Sequence, residues 1–259
     1  MSRTQNATAG TGGSPRGLPP LRYVPGVVSR RPASPAPAPL AHGPLPRAEK
    51  VLAVIARPGQ ESADLGALLY AFRRGGASLA LLCVTRGEAS PLNSTSERLE
   101  TRRPWELLVA GAVIGISSFT VADYPDGALI RSPLAELTEL VQRDIRWHAP
   151  DLLLIVDPAA GRPDDAAAAS DRSDDAVVAR AVCAAARLAG VPAVARTMPG
   201  ARGARLVDLG PEPAAARAVQ RSAAAAHASQ SEALPETERR LGLLDGCETL
   251  RWLVPASGD

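Results

Sequence analysis

Three features of the sequence predict an α/β fold, a Rossmann-like single domain with a mostly parallel sheet and helices on both faces. From Glu49 onward, short apolar runs alternate with longer stretches whose apolar residues recur at helical spacing. The apolar runs are continuous rather than alternating, as in strands covered on both faces. Their ends carry Gly, Pro and Asp, the residues that close strands and cap helices.

The elements follow in order. Val51 to Ala56 reads as the first strand and Ser62 to Arg74 as a helix. After Gly75-Gly76, Leu79 to Val84 forms the second strand, closed by the turn Thr85-Arg86-Gly87-Glu88. Ser96 to Gly115 has helical character, with Pro104 expected to kink or break it. Ser118 to Ala122 is a short strand ending near Asp123-Tyr124-Pro125-Asp126-Gly127. A helix over Leu134 to Arg146 precedes the strand Asp151 to Val156. A long Asp- and Ala-rich loop, Asp157 to Ser173, leads to the helix Asp174 to Ala189, which Gly190 caps. Pro192 to Ala195 begins another strand, and Leu206 to Leu209 is expected to be an edge strand. Pro211 to Ser229 and Glu236 to Leu244 read as helices.

Residues 1–48 are different. They hold six arginines, no Asp or Glu, and the run Pro32-Ala33-Ser34-Pro35-Ala36-Pro37-Ala38-Pro39. Such a segment buries too little apolar surface to order itself, so a disordered arm is expected before a folded domain at 49–259. Its prolines interrupt any apolar stretch that a signal peptide would need. Because only 3% of residues are aromatic, the core must be built from Ala, Val and Leu. A net charge of +2 without a dense basic face argues against nucleic acid as a partner. No apolar run reaches the roughly 18 residues of a membrane span. Cys83, Cys183 and Cys247 are far apart and form no C-x-x-C, so neither a disulfide framework nor a cysteine zinc site is expected, and a reducing cytoplasm fits. Lys50 is the only lysine, a bias that suggests GC-rich bacterial coding.

Several short motifs occur in a fixed order: Ala56-Arg57-Pro58-Gly59-Gln60-Glu61, Thr85-Arg86-Gly87-Glu88, Arg103-Pro104-Trp105-Glu106-Leu107, Tyr124-Pro125-Asp126-Gly127, Ala149-Pro150-Asp151, Ala226-His227-Ala228-Ser229-Gln230 and Glu248-Thr249-Leu250-Arg251. In this order they resemble the PIG-L/LmbE-like N-deacetylases, in which the first motif reads A-H-P-D-D-E and a second metal motif, H-P-D-H, precedes a long helix. Arg172-Ser173-Asp174-Asp175 matches the second motif best, with Gly161-Arg162-Pro163-Asp164-Asp165 as a rival. The resemblance implies a zinc-dependent deacetylase acting on an N-acetylglucosaminyl-type amino sugar. It places Arg57, Gln60 and Asp175 at the ligand positions and Gly59 at the position of the general base.

Those residue types do not suit the chemistry. Arginine has no lone pair to donate. At about 4 Å and an effective dielectric near 20, a guanidinium beside a dication meets a repulsion of about 8 kcal/mol. Gln60 offers a neutral oxygen, Gly59 offers nothing, and Asp175 alone is a credible ligand. Neither zinc nor another cofactor is therefore expected with these ligands. Glu61, Arg103, Asp126, Asp174 and Asp175 remain as candidate pocket residues. Of the histidines, His42 falls in the expected arm, His148 is read as a packing residue, and His227 as a helix-capping or hydrogen-bonding residue. Cys83 is read as core. Asp157, Asp164, Asp165, Asp171, Asp174 and Asp175 could gather magnesium, which prefers oxygen ligands, but their spacing matches no defined metal loop.

The leading expectation is a catalytically degenerate family member that keeps at most a sugar-sized pocket. A second reading is an active hydrolase with a rearranged carboxylate site, using Glu61, Asp174 or Asp175 as base. A third is a non-enzymatic interaction protein that docks through the Pro-rich arm.

Overall fold

The computed structural model describes residues 41–158, 173–235 and 246–256. Eight strands form one sheet: β1 (Ala41–Gly43), β2 (Lys50–Ile55), β3 (Ser78–Thr85), β4 (Ser118–Tyr124), β5 (Leu152–Val156), β6 (Ala193–Arg196), β7 (Arg205–Asp208) and β8 (Cys247–Val254). Their spatial order is β1-β7-β8-β6-β5-β2-β3-β4. All pairings are parallel except those of β8, which runs antiparallel to both β6 and β7. The helices are α1 (Gln60–Ala63), α2 (Gly66–Arg74), α3 (Leu99–Ile114), α4 (Leu134–His148), α5 (Asp174–Ala189) and α6 (Pro213–Ala225).

The continuous apolar strands divide their side chains between two cores. On β2, Val51, Ala53 and Ile55 pack with Leu68, Leu69, Leu107 and Ala223 of α2, α3 and α6. Leu52 and Val54 turn to the other face, against Val141 and Ile145 of α4 and Val178 and Val182 of α5. A strand with no solvent face has no polar alternation for a sequence pattern to show. Cutting a fully buried side chain such as Leu82 to alanine should cost about 2–5 kcal/mol.

Several boundaries differ from expectation. The single helix expected over 62–74 is two, because the amides of Asp64 and Leu65 both turn back to the Gln60 carbonyl. Pro104 sits in the second turn of α3, and the helix runs through it unbroken. Near the other end of α3, Gly111 lies against Phe119 of β4, whose ring would stand 2.4 Å from any added Cβ. β7 is an interior strand, because β1 covers one side and β8 the other. β8 has no counterpart among the expected strands. The arm was expected to run to residue 48, yet Ala41–Gly43 already pair with Arg205–Val207. Residues 1–40 of the arm, the loop residues Asp164, Asp165 and Asp171, and the helix expected over 236–244 lie outside the described residues.

Candidate functional site

The turn after β2 and the N-terminus of α5 meet at the C-terminal ends of the central strands, where α/β sheets place their ligands. Ser173 caps α5 by accepting the Ala176 amide at 3.2 Å. Asp174 and Asp175 fill the first turn, where negative charge is favourable.

Asp175 is the meeting point of the first motif. Gln60 Nε2 donates to Asp175 Oδ1 at 2.8 Å, and the Arg57 guanidinium lies 3.5 Å from Oδ2. The orientation of the Gln60 amide is fixed from behind, since its Oε1 accepts the backbone N–H groups of Ala56 and Arg57 at 2.9 and 3.3 Å. Backbone amides only donate, so oxygen must face them and nitrogen must face Asp175. Two of the three family ligand positions thus present N–H groups to the third, and lone pairs do not converge on a common point. This donor set does not fit a zinc ion.

Gly59, at the position of the family's base, has φ 102° and ψ −25°. L-residues with a side chain rarely adopt that conformation. Its amide donates to Glu61 Oε2 at 2.7 Å.

Behind this turn lies a buried polar strap. Glu61 is fully buried, and its Oε1 is 2.6 Å from His227 Nε2. His227 Nδ1 stands 3.9 Å from Glu106 and has no hydrogen-bond partner. Glu106 accepts the Ser229 amide at 2.8 Å and its hydroxyl at 2.6 Å. Burial alone would raise the Glu106 carboxyl, but the Ser229 hydroxyl and amide, with Arg102, hold it below its ordinary value. Gln230 completes the strap by accepting from Ser90 Oγ at 2.7 Å and donating to Leu92 O at 3.0 Å. Ala226-His227-Ala228-Ser229-Gln230 therefore ties the first-motif turn to α3 and to the loop after β3. His227 has the hydrogen-bonding role read from sequence.

The other pocket candidates are engaged structurally. Arg103 is 4% exposed and donates to Gly87 O and Pro58 O, each at 2.5 Å, clamping two turns together. Burial lowers its guanidinium pKa; nearby Asp126 opposes that shift. A Cβ at Gly87 would lie 2.3 Å from Arg103 NH1, so glycine is required for the clamp. Arg103, a candidate pocket residue, is thus buried and engaged by two backbone carbonyls. Asp126 accepts the Thr85 hydroxyl at 3.2 Å and the Ala89 amide at 3.0 Å. Asp174 accepts the amides of Gly127 at 2.6 Å and Leu129 at 3.0 Å. Burial raises the Asp174 carboxyl, and those two amides offset the rise only in part. Asp157, a candidate for a magnesium cluster, is buried and paired with Arg251 at 2.7 Å. Glu248 of the closing motif bridges two buried arginines, Arg196 at 3.3 Å and Arg217 at 2.5 Å. Cys83 is fully buried, and burial raises its thiol well above the usual value.

A cavity of about 790 Å³ lies elsewhere, lined by Pro44 to Glu49, Tyr70 to Phe72, Asp151 and Asp208 to Glu212. Of the motif residues it touches only Asp151, and none of Arg57, Gly59, Gln60 and Asp175 lines it. Among the described residues, no helix is long and apolar enough to cross a membrane.

Comparison with known proteins defines the class. The model of the GlcNAc-PI de-N-acetylase family (PIG-L) matches residues 52–185, and the chain belongs to that family. A search of curated protein sequences finds no match. The fold resembles N,N'-diacetylchitobiose deacetylase from Pyrococcus horikoshii, with a TM-score of 0.64 at 14% identity, over 80% of this chain and 84% of that one. A deacetylase of the teicoplanin biosynthesis pathway gives a TM-score of 0.59 at 16% identity, over 81% and 99% of the two chains. The 4-carboxy-2-hydroxymuconate hydratase GalB from Pseudomonas putida gives 0.61 at 16% identity, over 82% and 98%. A hydratase among these neighbours shows that the fold hosts more than one chemistry, so activity must be argued from the site.

Proposed function

We propose that this chain is a catalytically silent member of the deacetylase family, retaining at most a crevice that binds an amino-sugar-type small molecule. The observation that carries this reading is the Gln60 amide, held by two backbone amides so that its N–H, beside the Arg57 guanidinium, faces Asp175. The cluster satisfies Asp175 internally with a hydrogen bond and a positive charge, the roles a metal would otherwise fill. Deacetylation also needs a base to activate water, and Gly59 has no side chain to supply one. The rearranged-hydrolase reading loses support from the same geometry: Glu61 is sealed, Asp174 is committed to two amides, and Asp175 faces a cation.

The test is acetate release from an N-acetylglucosaminyl conjugate by the full chain with added zinc, made in a Cys247→Ser background so that zinc uptake by the half-buried Cys247 thiol does not interfere. Release at the level of the protein-free blank is expected. Zinc-dependent turnover that Asp175→Ala abolishes would overturn the proposal. The companion is the quadruple variant Arg57→His, Gly59→Asp, Gln60→Asp, Asp175→His, which should gain zinc in the crevice where the unrestored chain does not.

A further inference from the structure

We infer that His42, Asp208 and Cys247 form a zinc site at the β1 edge of the sheet, separate from the family crevice. Strand register alone puts the three on one face. His42 is opposite Leu206, two residues from Asp208 on β7, and Asp208 is opposite Cys247 on β8. Side chains two apart on a strand, and those directly opposite across a pair, share a face. β6 and β5 separate this edge from β2 and the motif turn.

The distances fit a tetrahedral ion. His42 Nε2 lies 3.0 Å from Asp208 Oδ1, and Cys247 Sγ lies 3.6 Å from each of them. With Zn–N and Zn–O bonds of about 2.0–2.1 Å and Zn–S of about 2.3 Å, tetrahedral edges are about 3.3 Å for N···O and about 3.6 Å for each contact to sulfur. Both sulfur contacts already match, and N···O must open by only a few tenths of an ångström.

The same geometry excludes a nucleophile relay. In a relay the aspartate would hold one ring nitrogen and the thiol would face the other. Here a single nitrogen, Nε2, faces both partners, so the three donor atoms converge on one point. Register and a thiol hydrogen bond to Asp208 would also bring these groups together, so the sulfur band in the titration below is what separates ligation from a hydrogen-bonded cluster. Nitrogen, oxygen and sulfur together suit zinc over the hard cations calcium and magnesium.

His42 and Asp208 are exposed and Cys247 is half-buried, which leaves the fourth position for water or another ligand. The ion would join three adjacent strands and fasten the short β1 to β7 and β8. Binding needs the Cys247 thiolate and a neutral His42, so it releases protons and weakens toward acid pH.

The test is cobalt titration of the full chain under a non-chelating reductant, followed by displacement with zinc. The expected result is about one equivalent of cobalt with a thiolate-to-metal absorption band. That band should vanish in Cys247→Ser. In His42→Ala and Asp208→Asn the affinity should fall by more than about 100-fold, beyond what loss of an outer partner causes. Asp175→Asn and Cys183→Ser should leave the titration unchanged. A parent chain with no saturable uptake, or uptake without a sulfur band, overturns the proposal whatever the variants do. A band that persists in Cys247→Ser assigns the metal elsewhere and overturns it equally.

Discussion

Two clusters in this molecule each join three side chains from distant parts of the sequence, and they are opposite in chemical sense. At the crevice, Arg57 and Gln60 point N–H groups at Asp175. At the sheet edge, His42, Asp208 and Cys247 point nitrogen, oxygen and sulfur donors at one another. The first stands at the positions that the motif resemblance aligns with metal ligands, and it presents no converging lone pairs. The second lies where no motif predicted a site and has them. Position in a fold carries an expectation of function, but the direction of lone pairs and protons decides what can bind.

The largest expected effect tests the support behind the crevice. His227→Ala leaves Glu61 fully buried without its 2.6 Å partner and should destabilise the chain by about 3–5 kcal/mol. Urea denaturation measures the loss, and a cost under 1 kcal/mol would show that the strap is not the crevice's foundation. Next is the edge cluster: zinc at 100 times its dissociation constant should stabilise the parent chain by about 2.7 kcal/mol and Cys247→Ser not at all. Thermal melts with and without the ion compare the two.

Gln60→Glu sharpens the contrast by replacing a donor with an acceptor. One new oxygen would still accept from Ala56, while the other would face Asp175 at the present 2.8 Å. Two carboxylates so close raise the pKa of the pair, so the variant should lose about 1–3 kcal/mol at neutral pH and recover it as pH falls and a proton is shared. A pH-independent loss would show that the side chain at position 60 does not face the Asp175 carboxylate.

The smallest effect is the acid response of Glu106. Its folded pKa lies below its ordinary value of 4.5, so its contribution is present above that pH and is lost as pH falls through the folded pKa. Ser229→Ala removes the hydroxyl hydrogen bond and should flatten the acid limb of the stability curve. Urea midpoints of both proteins between neutral and acid pH test this. Midpoints that fall equally in both would exclude Ser229 as the cause.

Much of the framework was legible. α5 is found at the expected Asp174–Ala189 because a Ser cap, two first-turn acids and Gly190 mark both of its ends. β2 and β3 follow from apolar runs that only a doubly covered strand explains. β8 was missed because Glu248 and Arg251 interrupt its pattern, and only the folded partners Arg196, Arg217 and Asp157 make those charges interior residues. β1 was missed because Ala41-His42-Gly43 has no strand signal of its own and exists by pairing with β7.

From the sequence alone one can determine that the fold is α/β and that it carries the marks of a deacetylase family. Local spacing suffices for those conclusions, since apolar runs and the order of short motifs can be read without knowing which distant residues touch. Only the tertiary structure decided that Gln60 turns its nitrogen toward Asp175, that Arg103 clamps two turns, and that His42, Asp208 and Cys247 share one face. Each of these depends on which distant strands and turns become neighbours, and that depends on how the whole sheet buries its two faces.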